Sequence, residues 1–281
     1  MKIAQTVADV MADRNELGQA GGTIAFVPTM GALHEGHLSL IRLAKQHAKH
    51  VIVSIFVNPT QFGQREDLSK YPRPIDADLQ KCQSEGVSLV FNPSVEEMYK
   101  AGAPSIVFEW PALTHVLEGK FRPGHFSGVC QVVAKLFHIV TPEIAVFGQK
   151  DFQQLRVIRE MVESLNFPVR LVAGPTMRES DGLAMSSRNT YLSPVERQQA
   201  LAIPRALQLA EAEVKAGVRS GARLITTMKR AVLEKHLLID YLACVDPDTL
   251  REVETVTGPV VLAIAARAGS TRLIDNVTVA P

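Results

Sequence analysis

The sequence predicts an α/β fold: an open, mostly parallel sheet with helices on both faces, followed by a smaller C-terminal α+β domain. Three observations predict it. The near-continuous β-branched run Val51-Ile52-Val53-Ser54-Ile55-Phe56-Val57 reads as a strand buried on both faces. Short apolar runs alternate with segments of helical spacing from Thr23 to Ala173. After Gly174-Pro175 the alternation stops, and two helical patterns precede three candidate strands.

Residues 3–20 read as an amphipathic helix, with Ile3, Val7, Val10, Met11 and Leu17 on one side and Gly21-Gly22 as its stop. The first strand is Thr23 to Val27. A tight Gly-bearing turn follows, and Leu38, Leu40, Ile41, Leu43 and Ala44 continue a helix to about His50. The strand Val51 to Val57 ends in the loop Asn58-Pro59-Thr60-Gln61-Phe62-Gly63. A charged segment from Arg65 to Pro74 leads to a helix near Ile75 to Gly86, then to a short strand, Ser88 to Phe91. Residues 95–125, rich in Gly and Pro, yield no assignment from periodicity. A helix from about Ser127 to Val140 precedes the strand Ile144 to Phe147 and the loop Gly148-Gln149-Lys150-Asp151. Phe152, Leu155, Ile158, Met161, Val162 and Leu165 mark the next helix, and Val169 to Ala173 the next strand.

Arg178 to Gly182 reads as an exposed turn, and Ser193-Pro194 starts a long helix to about Ala216. Gly217 to Gly221 breaks it, a second helix runs to His236, and strands Ile239 to Val245, Val260 to Ala265 and Thr271 to Val277 finish the chain. In open sheets of this kind ligands bind at the carboxyl ends of the strands. That rule gathers the turn after the first strand, the Asn58 to Gly63 loop and the Gly148 to Asp151 loop along one edge.

Composition narrows the function. The 281 residues hold one large domain or two modest ones, and a net charge of +1 with 21% charged residues points to no nucleic-acid surface or acidic partner. Cys82, Cys130 and Cys244 are scattered and odd in number, which argues against a disulfide framework and for a reducing cytosol. The N-terminal residues reach Asp9, Asp13 and Arg14 without an apolar core, so they do not read as a signal peptide. The apolar runs at Val51–Val57 and Val260–Ala266 are too short to span a bilayer. The expectation is a soluble cytoplasmic protein with no membrane partner.

The chemistry-bearing stretch is Phe26-Val27-Pro28-Thr29-Met30-Gly31-Ala32-Leu33-His34-Glu35-Gly36-His37-Leu38. A strand-to-helix turn exposes unpaired backbone N–H groups and the positive end of the helix dipole, which suits phosphate. Gly31 and Gly36 allow close approach of a ligand, and His34 and His37, at i and i+3, can face one way. The alternatives are two solvated surface histidines, or zinc, for which no third ligand stands nearby. His47 and His50 repeat the spacing at the far end of the same helix and read as solvated surface.

Lys150 lies where a helix opens, a place the dipole disfavours for a cation, so it reads as awaiting an anion; Asp151 beside it suits the N-cap. The alternative is a surface lysine. Ser186, Ser187 and Arg188 supply two hydroxyls and a guanidinium suited to phosphate, against the alternative of an ordinary interdomain turn. Gln61 and Gln154 are neutral amides able to hold a carboxylate and hydroxyls, or simply solvent-facing.

The motifs PTMGALHEGHLSL (28–40), NPTQF (58–62), KYPR (70–73), RPGHFSGV (122–129), VAKLF (133–137), FGQKDFQQL (147–155) and RESDGLAMSSRNTYLS (178–193) follow one another in the order of a known family. The chain resembles the pantoate–β-alanine ligases of the H-x-G-H nucleotidyltransferase superfamily. The resemblance implies a Rossmann-like, doubly wound nucleotide- and pantoate-binding domain over residues 1–176 and a C-terminal lid domain over 177–281. It implies ATP as substrate with Mg²⁺, pantoate and β-alanine as the other small-molecule substrates, and a homodimer.

It places nucleotide contacts at Met30, Gly31, Ala32, Leu33, His34, Glu35, Gly36 and His37. Further nucleotide contacts fall at Gly148, Gln149, Lys150, Asp151, Met177, Met185, Ser186, Ser187 and Arg188, and pantoate contacts at Gln61 and Gln154. His34, His37, Lys150, Ser186, Ser187 and Arg188 are the expected catalytic donors. Lys120-Phe121 before Arg122, and Met177 where the family leads one to expect Val, depart from the pattern. Glu118 and Arg122 are candidates for lining the site. Asp76 and Asp78 read either as metal-associated carboxylates or as helix-start acids.

Two rivals remain. One is a sister enzyme that transfers a nucleotide to a phosphate, for which Gln61 and Gln154 are the wrong residues, since a phosphate acceptor calls for Arg or Lys. The other is a nucleotide sensor without catalysis, for which His34, His37 and Lys150 would be superfluous.

Overall fold

The computed structural model describes residues 1–63, 66–100 and 105–281. Arg65, the expected start of the charged segment, lies outside the described residues, as do residues 101–104 of the unassigned stretch. In chain order the first elements are β1 (Lys2–Ala4), α1 (Val7–Gln19), β2 (Ile24–Thr29), α2 (Glu35–His47), β3 (His50–Ile55), α3 (Ile75–Ser84), β4 (Leu89–Phe91) and α4 (Val95–Met98). Next come α5 (Pro111–Thr114), α6 (Glu118–Phe121), α7 (His125–Val140), β5 (Ile144–Gly148), α8 (Phe152–Ser164) and β6 (Arg170–Gly174). The last are α9 (Pro194–Ala200), α10 (Ala202–Lys215), α11 (Gly221–Leu233), β7 (Leu238–Val245), β8 (Val260–Ala268) and β9 (Thr271–Val279).

The chain divides into two compact units. The first holds Met1–Glu109, Arg122–Gln149 and Val157–Pro175; the second holds Trp110–Phe121, Lys150–Arg156 and Thr176–Pro281. Two short segments from the middle of the chain, 110–121 and 150–156, thus group with the C-terminal residues.

In the first unit six parallel strands run in the order β1-β4-β3-β2-β5-β6. Ala25 and Val27 of β2 share one core cluster with Ile41 and Ala44 of α2 and Cys82 of α3. Ile24 and Phe26, on the opposite face by the period of two, are also fully buried. β2 is therefore apolar on both sides because helices cover both. Since β3 pairs with one edge of β2 and β5 with the other, the order of the strands reverses beside β2.

The N-terminus differs from the expected helix over 3–20. Lys2–Ala4 form an edge strand paired with Leu89–Phe91, and the helix starts only after Thr6, whose Oγ1 accepts from the amide of Asp9 (3.1 Å). Ile3 and Met11 are exposed, and Val10 is the residue of the expected stripe that reaches the core. A three-residue strand is too short to display its own period, and its pairing partner lies more than eighty residues away. His50, expected in a helix, is the first residue of β3.

In the second unit β7, β8 and β9 form an antiparallel sheet packed against α10 and α11. The long helix expected from Ser193 is two helices. Ser193 and Glu196 make a reciprocal capping box at the start, and the break falls at Leu201. Pro204 has no N–H to give the carbonyl of Ala200, so the ladder is interrupted there.

Gly128, within α7, touches the loop after β3: a Cβ built there would lie 2.2 Å from the carbonyl oxygen of Thr60 and 2.7 Å from the amide of Gln61. Both obstacles are backbone. Gly128→Ala should destabilise the protein by about 1–3 kcal/mol, the usual range for overpacking. The urea midpoint measures this, and an unchanged midpoint would show that the loop yields freely.

Candidate active site

The turn between β2 and α2 is built by three side chains that are not in it. Thr29 Oγ1 donates to the carbonyl of Ser54 (2.7 Å) and accepts from the amide of Gly31 (3.1 Å), tying the end of β2 to β3. Asp78 of α3 is fully buried, and its two carboxylate oxygens accept from the amides of Ala32 (2.7 Å) and Leu33 (2.8 Å). Lys81 Nζ donates to the carbonyl of Leu33 (2.6 Å). Gly31 and Ala32 both have left-handed φ, 79° and 50°. The expected open amides of this turn are therefore partly spent, since Gly31, Ala32 and Leu33 already have acceptors. Asp78 is not merely a helix-start acid: it holds this turn, while Asp76 lies exposed in the first turn of α3.

What the turn presents is imidazole. His34 is the N-cap residue of α2, and the rings of His34 and His37 lie 4.1 Å apart, centroid to centroid. The amide of His34 donates to Nδ1 of His37 (3.3 Å). An Nδ1 that accepts leaves the proton of the neutral ring on Nε2, so His37 carries a donor at its outer nitrogen.

Gln61 ends a 3₁₀ turn, Pro59–Gln61, beyond β3, and is buried rather than solvent-facing. Asn58 Nδ2 donates to Gln61 Oε1 (3.1 Å), and Gln61 Nε2 points at the sulfur of Met30 (3.1 Å), so these two expected site residues lie together. His125 Nδ1 donates to the Gln61 carbonyl (2.8 Å), its Nε2 meets an Arg122 N–H (3.0 Å), and Arg122 grips Glu66 with two bonds of 2.8 Å. Arg122 thus supports the Gln61 loop from behind. Gly148 and Gln149 leave the carboxyl end of β5, the strand next to β2.

The second unit carries the remaining expected residues. Lys150 and Asp151 stand in a 3₁₀ turn that runs straight into α8, so Asp151 is inside the turn rather than capping. Lys150 Nζ lies 3.9 Å from its neighbour Asp151, and its carbonyl accepts from Asn276 Nδ2 (2.8 Å). Gln154 is half-buried on the first turn of α8, while the adjacent Gln153 is fully engaged with Leu113, Val116 and Glu118 backbone.

Met177 and Met185 are joined by a backbone bond (2.9 Å) across a small hairpin, and Ser186 Oγ caps the 3₁₀ turn Ser187–Tyr191 that bears Arg188. The hairpin is not the plain exposed turn expected. Arg178 forks onto buried Asp275 (2.7 and 3.1 Å), and Arg197 reaches Glu179 and Asp181 (2.6 and 2.7 Å). Glu118 pairs with Arg272 through two bonds, 2.6 and 2.8 Å, as a structural contact.

A family model described as pantoate-beta-alanine ligase matches residues 2–278. A pantothenate synthetase of Acidobacterium capsulatum is 52% identical over 99% of this chain and 96% of its own length. The crystal structure of pantothenate synthetase from Thermus thermophilus superposes with a TM-score of 0.94 at 44% identity, covering 100% of both chains. The pantoate-beta-alanine ligase of Francisella tularensis, solved with beta-gamma ATP and beta-alanine, gives 0.81 at 34% identity, covering 99% of this chain and 97% of that one.

The chain belongs to the pantoate–β-alanine ligase family. Within this ligase, residue types alone did not reveal Glu66; Asn58, His125 and Gln153 stood only inside the family motifs, and Asp78 was a candidate for a different part, as a metal-associated or helix-start acid.

Burial pushes the Glu66 carboxyl up, and the paired Arg122 guanidinium outweighs it, so the pKa lies below the ordinary value. A lowered folded pKa means that the contribution is complete above about 4.3, the unfolded glutamate value, and is lost as pH falls through the lower folded value. Glu66→Gln should therefore cost stability at neutral pH, with the gap to the parent closing in acid. Urea midpoints across the acid range measure it, and a gap independent of pH would contradict the pairing.

Proposed function

We propose that this ligase condenses (R)-pantoate with β-alanine at the expense of ATP, giving pantothenate, AMP and pyrophosphate through pantoyl adenylate. The observation that carries the reading is the imidazole pair fixed at the end of β2, where the strand order reverses, in a chain that matches the family end to end. A carboxylate oxygen of pantoate attacks the α-phosphorus of ATP, a P–O bond forms, and the bond to pyrophosphate breaks. The nucleophile is already an anion, so the step needs no general base. It needs charge neutralisation at phosphorus and on the leaving group.

His37, through its Nε2 proton, and His34 supply donors from the first unit. Lys150, Ser186, Ser187 and Arg188 supply them from the second, with Met30 to His37, Gly148 to Asp151, Met177 and Met185 around the nucleotide. Gln61 and Gln154 hold pantoate; the fixed amide of Gln61 beside Met30 supports its part. Donors at the turn suit an anion, and both oxygens of Asp78 are taken. Mg²⁺ would come in with ATP and would supply charge neutralisation on the phosphates.

In the second half the amine of β-alanine attacks the pantoyl carbonyl and AMP leaves as the C–O bond to it breaks. The amine must arrive neutral against a free-amine pKa near ~10, and His37 is the group suited to relaying its proton. Residues 177–281 act as the lid that keeps water from the adenylate. Three buried free cysteines, Cys82, Cys130 and Cys244, support a cytoplasmic setting, and no helix among the described residues is long and apolar enough to cross a membrane. Assembly as a homodimer belongs to the same proposal; sedimentation equilibrium returning a monomer would remove it.

Exchange of labelled pyrophosphate into ATP should occur only when pantoate is present. Exchange indifferent to pantoate, or none, sinks the reading. Lys150→Ala should cut this exchange by orders of magnitude with the circular dichroism unchanged, and a near-normal rate would take Lys150 out of the mechanism.

A further inference from the structure

We propose that Asp78 and Lys81 of α3 are positioning residues for the two imidazoles, holding the β2–α2 turn in the shape that aims His34 and His37 at the triphosphate. The proposal rests on the ligase reading above. Neither residue is a donor to substrate in that reading; both act on the backbone from which the donors hang.

The turn needs such a hold. Gly31 and Ala32 sit in left-handed conformation, which an alanine does not adopt without compensation. Packing alone does not define it: Leu33 is anchored in the core, while a cavity of about 280 Å³ opens beside the turn, lined in part by Gly31, Ile55, Ile75 and Asp78. Hydrogen bonds complete the shape. Asp78 takes the amides of Ala32 and Leu33 with one oxygen each, and Lys81 takes the Leu33 carbonyl. The next residue is His34, whose amide in turn fixes Nδ1 of His37. A continuous relay thus runs from the buried carboxylate through two peptide units to the orientation and tautomer of the His37 ring. Gly31 leaves no slack, since a Cβ there would stand 3.0 Å from Asp78 Oδ2.

Asp78→Asn keeps the volume but removes one acceptor and sets an NH₂ group against an amide N–H. In the full-length chain, pantoate-dependent pyrophosphate exchange should fall about 100-fold in turnover, the scale of loss for a displacement near 1 Å, with the KM for pantoate unchanged. Lys81→Met, which leaves Asp78 in place, should give a smaller loss of the same kind. The distinguishing readout is the ¹⁵N spectrum of the imidazoles. In the parent His37 should show one accepting Nδ1 and one protonated Nε2, and in Asp78→Asn it should move toward mixed tautomers.

Parent-like turnover in Asp78→Asn overturns the proposal, as does a loss of turnover with unchanged His37 resonances. If Asp78→Asn does not fold, Lys81→Met decides by the same two measurements. Absence of pantoate-dependent exchange in the parent would instead refute the ligase reading, and the imidazole spectra would still report whether Asp78 governs His37.

Discussion

The first unit depends on a topological constraint at β2. The chain adds β3 and β4 on one side of that strand and β5 and β6 on the other, so the crossovers leave in opposite directions. In such sheets that reversal opens a crevice outside the carboxyl ends of the strands that flank it, here β2 and its neighbours. A strand end that is not covered can bear polar side chains without burying them unpaired. That is where Met30, His34, His37, Gly148 and Gln149 stand. The apolar strand interiors immediately behind them supply a rigid base: Ala25, Phe26 and Val27 are fully buried.

Phosphate sites at strand-to-helix turns commonly rely on a nest of free amides. This turn does something different with the same backbone. Three of its amides face inward to Thr29 and Asp78, and the positive character that remains comes from the start of α2 and from two imidazoles. An imidazole donor is longer than an amide and lies off the main chain, so its reach is set by side-chain torsions rather than by the backbone. The cost is that a side chain must be oriented, and the His34 amide on Nδ1 of His37 supplies that orientation.

Much of this was legible in sequence where burial on both faces forces a continuous apolar run. β3 and β5 fell within two residues of expectation for that reason, and the His34/His37 spacing marked the turn. β1 was not legible, because three residues cannot show a period and the pairing that makes them a strand lies near residue 90. Asp78 was ambiguous because an acid in the first turn of a helix already has a local explanation in the dipole. Its partners are 45 and 46 positions away, and no local pattern encodes them. Adjacent amides were equally opaque. Gln153 and Gln154 differ in which side of α8 faces inward, and Gln153 is the one buried and bound to three backbone groups.

The second unit shows how a polar loop can be held in one shape. The segment bearing Ser186, Ser187 and Arg188 follows an apolar anchor, Leu183 in the core of its unit, and polar contacts complete the hold. Arg178 is forked on Asp275, which is 3% exposed and cannot readily exchange its partner for water. Arg197 spans Glu179 and Asp181, and Asn189 ties Glu179 to the Ala184 carbonyl. Breaking one member of such a set leaves a charge without its partner in a partly dry place, so the set holds or fails together. Donors for a triphosphate are worth most when their geometry is prepared before the charge arrives. A hairpin locked to its own sheet has geometry prepared in this way.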